Sequence, residues 1–289
     1  MNRSETGEYL YMYFRKLSAS FQSSFYKAAI TCEIEDVHKA RVDVKKMNAL
    51  FILFETISPG FCKESGGLSL FKNLFRSAGT IRETQLMLLF LDRKNDPDPV
   101  LIEFTKWLAK RNRLQVRQYV KAVMSFDKKG LKDLTRSVRK FMTRVSTKQI
   151  VTSSWDMIHM NSIRVNYFLS GWSNPKNIHR IRQNIKDLTA IVHQVSQVAP
   201  DAGMDQIRLD LTRMEIVIGE WHDKVVIIDA MERFMKTTHY ANTGPHRNFL
   251  DFKEHLNKEN EAVLEKLKPE VEAFVALIKS LTRKRYLLH

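Results

Sequence analysis

The chain has 289 residues, 44% hydrophobic and 27% charged, which is ordinary for a soluble globular protein able to bury a substantial core. Two cysteines, Cys32 and Cys62, exclude a disulfide framework or a zinc-thiolate cluster and read as small packed hydrophobes. The charge is unusual: 47 Lys and Arg against 32 Asp and Glu give +15, which points to a polyanionic partner such as nucleic acid, an anionic membrane surface or a phosphate polymer.

The N-terminus, MNRSETGEYL, has no apolar core segment and is not a secretory signal. The most apolar stretches, Ala49 to Phe54 and Leu86 to Leu91, are far too short to span a bilayer, so a cytoplasmic protein is expected. Gly and Pro are scarce and clustered, and alternating β-branched runs are lacking, which predicts an all-α fold of long helices. Helix starts are expected at Thr31, with acidic Glu33 and Glu35 following, at Asp98-Pro99 and at Asn174-Pro175. Breaks are expected at Ser58-Pro59-Gly60, Ser65-Gly66-Gly67, Asp96 to Pro99, Ala199 to Gly203 and Asn242 to Pro245.

One helix is written twice. His38, Arg41 and Lys45 form H-x2-R-x3-K, and His179, Arg182 and Lys186 repeat it 141 positions later. Apolar neighbours repeat at the same offset: Val37, Ala40, Val44, Met47, Leu50, Phe51 and Phe54 match Ile178, Ile181, Ile185, Leu188, Ile191, Val192 and Val195. At 3.6 residues per turn the polar triplets fall in a stripe ~60° wide, opposite the apolar face. A second element recurs at an offset of 140: Gly79, Arg82 and Glu83, then Gly219, His222 and Asp223. A glycine within a helix usually marks a close approach or a kink. The duplication suggests two pseudo-symmetric antiparallel helical bundles, residues 1–148 and 149–289.

A charged stripe is commonly a solvated face. Two of them on equivalent helices, with no acidic residue in either, can instead converge on one groove or pore. Arg offers a planar donor fork, Lys a mobile charge, and His would move toward its charged form beside a polyanion, a set suited to repeated phosphates. Lys46, Arg76, Lys72, Arg82 and His222 are further candidates for this surface. Glu83 and Asp223 read better as carboxylates of interhelical salt bridges. Arg111, Arg113, Arg117 and Lys121, and then Arg136, Arg139, Lys140 and Arg144, are solvated helix faces or the rim of a basic funnel. Walker A, dinucleotide, nucleophile-elbow and H-E-x-x-H motifs are missing. Glu33-Ile34-Glu35 fits a helix first turn better than catalysis, Asp92, Asp96 and Asp98 fit turn chemistry, and His239, His246 and His255 are too irregular for a metal site.

In order, spacing and duplication these motifs resemble the CHAD family, over roughly Thr6 to Ser280. The resemblance implies two pseudo-symmetric four-helix bundles, a basic surface or pore between them, and non-enzymatic binding of inorganic polyphosphate, in some members with association to polyphosphate granules. By position, His38, Arg41, Lys45, Lys46, His179, Arg182 and Lys186 would face the ligand, with no cofactor or metal. Two departures bear on affinity. Asn48 stands where a basic residue is usual, and Lys186-Asp187-Leu188-Thr189-Ala190 replaces K-R-L-R-Y, so the second half is expected to bind more weakly. Nothing remains for an accompanying CYTH triphosphatase domain, and a stand-alone binding module is expected. The alternatives are a nucleic-acid-binding helical protein and a metal-dependent phosphohydrolase. Phe51, Phe54 and Trp221 fall at core positions, unlike stacking platforms for bases.

Overall fold

The computed structural model describes residues 5–94, 98–198, 202–237 and 247–287, and every regular element among them is helical. In the first half, α1 (Glu5–Thr31), α2 (Ile34–Ile57), α5 (Lys72–Lys94) and α6 (Pro99–Met124) are long, with short α3 (Phe61–Ser65) and α4 (Gly67–Leu70) before α5. The fifteen-residue α7 (Lys128–Met142) leads to α8 (Thr147–Leu169), α9 (Pro175–Val198), α10 (Ala202–Thr237) and α11 (Arg247–Leu287).

The ends of these helices follow local chemistry. Asp98 caps α6 by accepting from the Val100 and Leu101 amides at 2.8 and 3.0 Å, with Pro99 as the first helical residue. Asn174 Oδ1 accepts from the Lys176 amide ahead of α9, and Ser146 with Gln149 forms a capping box on α8. Gly60 (φ 96°) and Gly66 (φ 68°) make the breaks after α2 and α3. One expected start differs. Thr31 ends α1 rather than opening α2, because Cys32 turns the chain at φ 51°, and the Thr31 hydroxyl instead accepts from the Glu33 amide and donates to Asp36. Residues 95–97, 199–201 and 238–246, on which parts of three expected breaks and His239 and His246 fall, lie outside the described residues.

All fourteen repeated apolar residues of α2 and α9 are buried. They belong to one continuous core shared by α1, α2, α8 and α9, so the two halves are not separately packed. On the α1–α2 side this core is aromatic, with Phe21 stacked on Phe25 at 4.7 Å and edge-on to Phe71 at 5.2 Å, whereas α9 contributes Ile, Leu and Val. A second core, built on Leu91, Phe104, Met231, Phe234, Phe249 and Phe252, joins the far parts of α5 and α6 to α10 and α11. Packing pairs α2 with α5, α5 with α10, α10 with α9, and α9 with α2, which closes a ring of four helices. At the starts of α1 and α8, the Thr147 hydroxyl donates to that of Thr6, 141 positions away, at 3.0 Å.

Candidate functional site

Burial of the apolar faces of α2 and α9 turns their opposite faces toward α5 and α10, and the two basic stripes converge within that ring. Lys45 lies within hydrogen-bonding reach of Lys186 and feels the charges of Arg41 and Arg182. Arg182 in turn feels Arg41. Each cation of one stripe thus lies in the electrostatic range of the other stripe. Among the described residues, none of these four forms an ion pair with a carboxylate within 4 Å. Burial, and then the neighbouring cations, hold the Lys45 amine down, and the same causes bring Lys186 to about 7.

The two arginines are held differently. Arg41 donates from Nη1 to the Phe75 carbonyl at 2.9 Å and lies over the Phe75 ring at 4.2 Å. Its guanidinium occupies the space where a side chain on Gly79 would stand: a Cβ there would lie 2.7 Å from Nη1. This accounts for the first glycine of the repeat. The second has no such role, since a Cβ on Gly219 would meet nothing within 4 Å. Glu215 occupies the position matching Phe75, and its charge acts on Lys45, Arg182 and Lys186. The buried Nε of Arg182 has no hydrogen-bond partner.

The remaining candidates separate into groups. His38 and His179 sit one turn before the arginines. Desolvation, followed by Arg82 for His38 and by His222 and Arg182 for His179, pushes both imidazoles below their ordinary value. His222 lies 5.7 Å from His179 ring to ring, with Nδ1 3.6 Å from Asp223. Arg82 donates to the Ile34 carbonyl at 3.3 Å and so ties α5 to the start of α2. Arg76 and Lys72 are exposed and, with Arg41 and Asn48, line a cleft of ≈ 450 Å³ between α2 and α5. Lys46 is partly exposed and makes none of the contacts that join the central four.

The acidic residues are arranged differently from expectation. Among the described residues, neither Glu83 nor Asp223 forms an interhelical ion pair within 4 Å; Glu83 acts at longer range on Arg41, and Asp223 on Arg182 and Lys186. Asp187 is partly buried near both lysines and is pushed up to about 6 by desolvation. It therefore weakens the field at Lys45 as well as at Lys186, rather than that of the second half alone. Sequence reasoning missed Glu215; the available signal was its two-turn spacing from Asp223 on α10.

A larger cleft of ≈ 500 Å³, lined by Ile34, Gln85, Leu88, Leu89 and Leu91 with Asp92 and Thr105, contains no cation and lies apart from this cluster. Among the described residues, no three His, Cys, Asp or Glu side chains gather as a metal site, and no helix is long and apolar enough to cross a membrane.

A family model described as the CHAD domain matches residues 15–232. Among solved structures the chain is similar to the crystal structure of the CHAD domain from the plant Ricinus communis, at 13% identity and a TM-score of 0.72, covering 94% of this chain and 93% of that chain. At that identity the likeness carries the fold. Comparison with curated proteins finds no match.

Proposed function

The chain belongs to the CHAD-domain family, and we propose that it binds inorganic polyphosphate, without turnover, at the junction of α2 and α9. One observation supports this above the others: Lys45 lies within hydrogen-bonding reach of Lys186, both feel the charge of Arg182, and the buried Nε of Arg182 has no hydrogen-bond partner. Four partly buried cations held close together repel one another, and an anion with closely repeated charges relieves all four at once. Arg182 offers a free donor for a phosphate oxygen, while the lysine pair straddles the line between the two halves.

Bases have no comparable fit. Phe51, Phe54 and Trp221 are buried in the core, and the Phe75 ring is already covered by Arg41. Glu83, Glu215 and Asp223 surround the cations at longer range and would limit how much anionic charge the site accepts.

Titration with polyphosphate tests the proposal, using wild type and a Lys45→Ala/Arg182→Gln variant, with phosphate release followed in parallel. A loss of affinity of about 100-fold or more in the variant is expected, since each removed charge-assisted contact contributes ~1.5–3 kcal/mol. Equal affinity would reject the site. Displacement of polyphosphate by RNA or DNA at matched phosphate concentration would favour a nucleic-acid ligand, and phosphate release would reject binding without turnover.

A further inference from the structure

Residues 99–148, covering α6, α7 and the first residues of α8, hold fourteen Lys and Arg against three Asp and Glu, in a chain of net charge +15. This segment carries most of the excess charge, yet it includes none of the central cations. Its densest part is α7. That helix buries Leu131, Leu134, Val138 and Met142 and exposes Lys128, Lys129, Lys132, Arg136, Arg139 and Lys140 along ~22 Å of axis.

Little on α7 offsets this charge. Asp127 is engaged as the N-cap, accepting from the Gly130 amide at 2.8 Å, and Asp133 pairs with Arg136 at 2.7 Å. Among the described residues, the other five exposed cations meet no carboxylate within 4 Å. Lys128 and Lys132, Lys132 and Arg136, and Arg136 and Lys140 are like charges one turn apart, which costs the helix stability. Tyr26 is covered by Lys128 at 4.6 Å at the start of α7, and Phe126 and Phe141 pack against rings of the core. A ligand on the outer face would meet chiefly charge, which suits a polyanion without bases.

The face is also connected to the central cluster. Phe126, just before α7, stands 5.9 Å from Phe71, and a Cβ on Gly130 would lie 3.2 Å from Leu70. Lys72 follows Phe71 directly and shares with Arg41 and Arg76 the cleft between α2 and α5. The segment that α7 packs against therefore runs directly into the helix that carries Lys72 and Arg76.

We infer that the outer face of α7 is a second binding track for polyphosphate, engaging the length of a long chain that lies outside the central cluster. This rests on the function proposed above, and it predicts a length dependence that the central site alone would not produce.

The test compares wild type with a Lys129→Ala/Lys132→Ala/Arg139→Ala/Lys140→Ala variant, using tripolyphosphate and long-chain polyphosphate over a range of salt. The expected result is tripolyphosphate affinity within twofold of wild type and long-chain affinity lowered tenfold or more. The slope of log affinity against log salt should shrink by ~3, at ~0.7 per removed charge by analogy with single-stranded nucleic acid. Thermal unfolding at or above the wild-type temperature shows that the variant is folded. Unchanged long-chain affinity overturns the track, and so does equal weakening at both lengths. The Lys45→Ala/Arg182→Gln variant separates the two ideas. If it keeps tripolyphosphate, the central site fails, while the α7 comparison still decides the track. If phosphatidylserine vesicles capture the wild type and polyphosphate of either length does not compete, the face binds membrane and the inference is wrong.

Discussion

Lys45 on α2 lies within hydrogen-bonding reach of Lys186 on α9, although among the described residues neither has a carboxylate partner within 4 Å. Like-charged amines in contact are a cost to the fold, and the two residues occupy equivalent places in the repeated motif. The polyphosphate binding proposed above would resolve that conflict.

Removal of one member should therefore stabilise the free protein. Lys45→Met keeps the aliphatic stem and deletes the charge. The expected outcome is ~1 kcal/mol more stability in urea unfolding, with polyphosphate affinity reduced about tenfold. Loss of both stability and affinity would mean that the pair does not repel in the folded state.

The pH dependence of stability follows from two neighbours. The folded state holds Lys186 at about 7 against its ordinary 10.5, so its charge costs stability below pH 7, and that cost fades as pH rises from 7 to 10.5. Asp187 is raised from 3.8 to about 6, so its cost grows as pH rises from 3.8 to 6. Together they place a trough in the stability of the free protein between pH 6 and 7. Denaturant unfolding across pH 4–10 should show it, and Lys186→Met/Asp187→Asn should flatten it. A bound polyanion keeps Lys186 protonated, so affinity should fall above pH 7 by up to ~10-fold per unit.

Asp187→Asn should strengthen binding. Its carboxylate lies beside both lysines and repels an incoming phosphate once ionised. A gain of ~3- to 10-fold in affinity at pH 7.5, shrinking toward pH 5 where the wild-type carboxyl is already neutral, is expected in a titration series.

The two glycines of the second repeated element should respond in opposite ways. Gly219→Ala enters open space and should stabilise by ~0.5–1 kcal/mol through helix propensity, with affinity unchanged. Gly79→Ala places a methyl group against the Arg41 guanidinium, displaces it from Phe75, and should lower both stability and affinity. Thermal melts of the two variants side by side check this.

Sequence pattern sufficed for much of this architecture, because burial is periodic. All seven repeated apolar residues on each motif helix lie in the core, and Asp98, Asn174, Gly60 and Gly66 end or begin helices as their chemistry predicts. Partnering was harder to read. Helical spacing places Arg41 and Arg182 on polar faces but cannot say that Phe75 clasps one while Glu215 stands opposite the other. Gly79 and Gly219 look alike as letters and differ in what packs above them. The turn at Cys32 carries no glycine or asparagine to announce a positive φ, and the start of α2 moved accordingly.

The uncompensated cation cluster at the α2–α9 junction has a consequence for the protein's abundance. Any anion that binds the folded chain and not the unfolded one adds stability that grows with the logarithm of its free concentration. Quality-control proteases act on the unfolded fraction, and a shift of 1–2 kcal/mol changes steady-state amounts several-fold. A chain whose fold is strained until its ligand arrives would survive longest in cells rich in that ligand. Its level would then serve as a running gauge of the phosphate polymer around it.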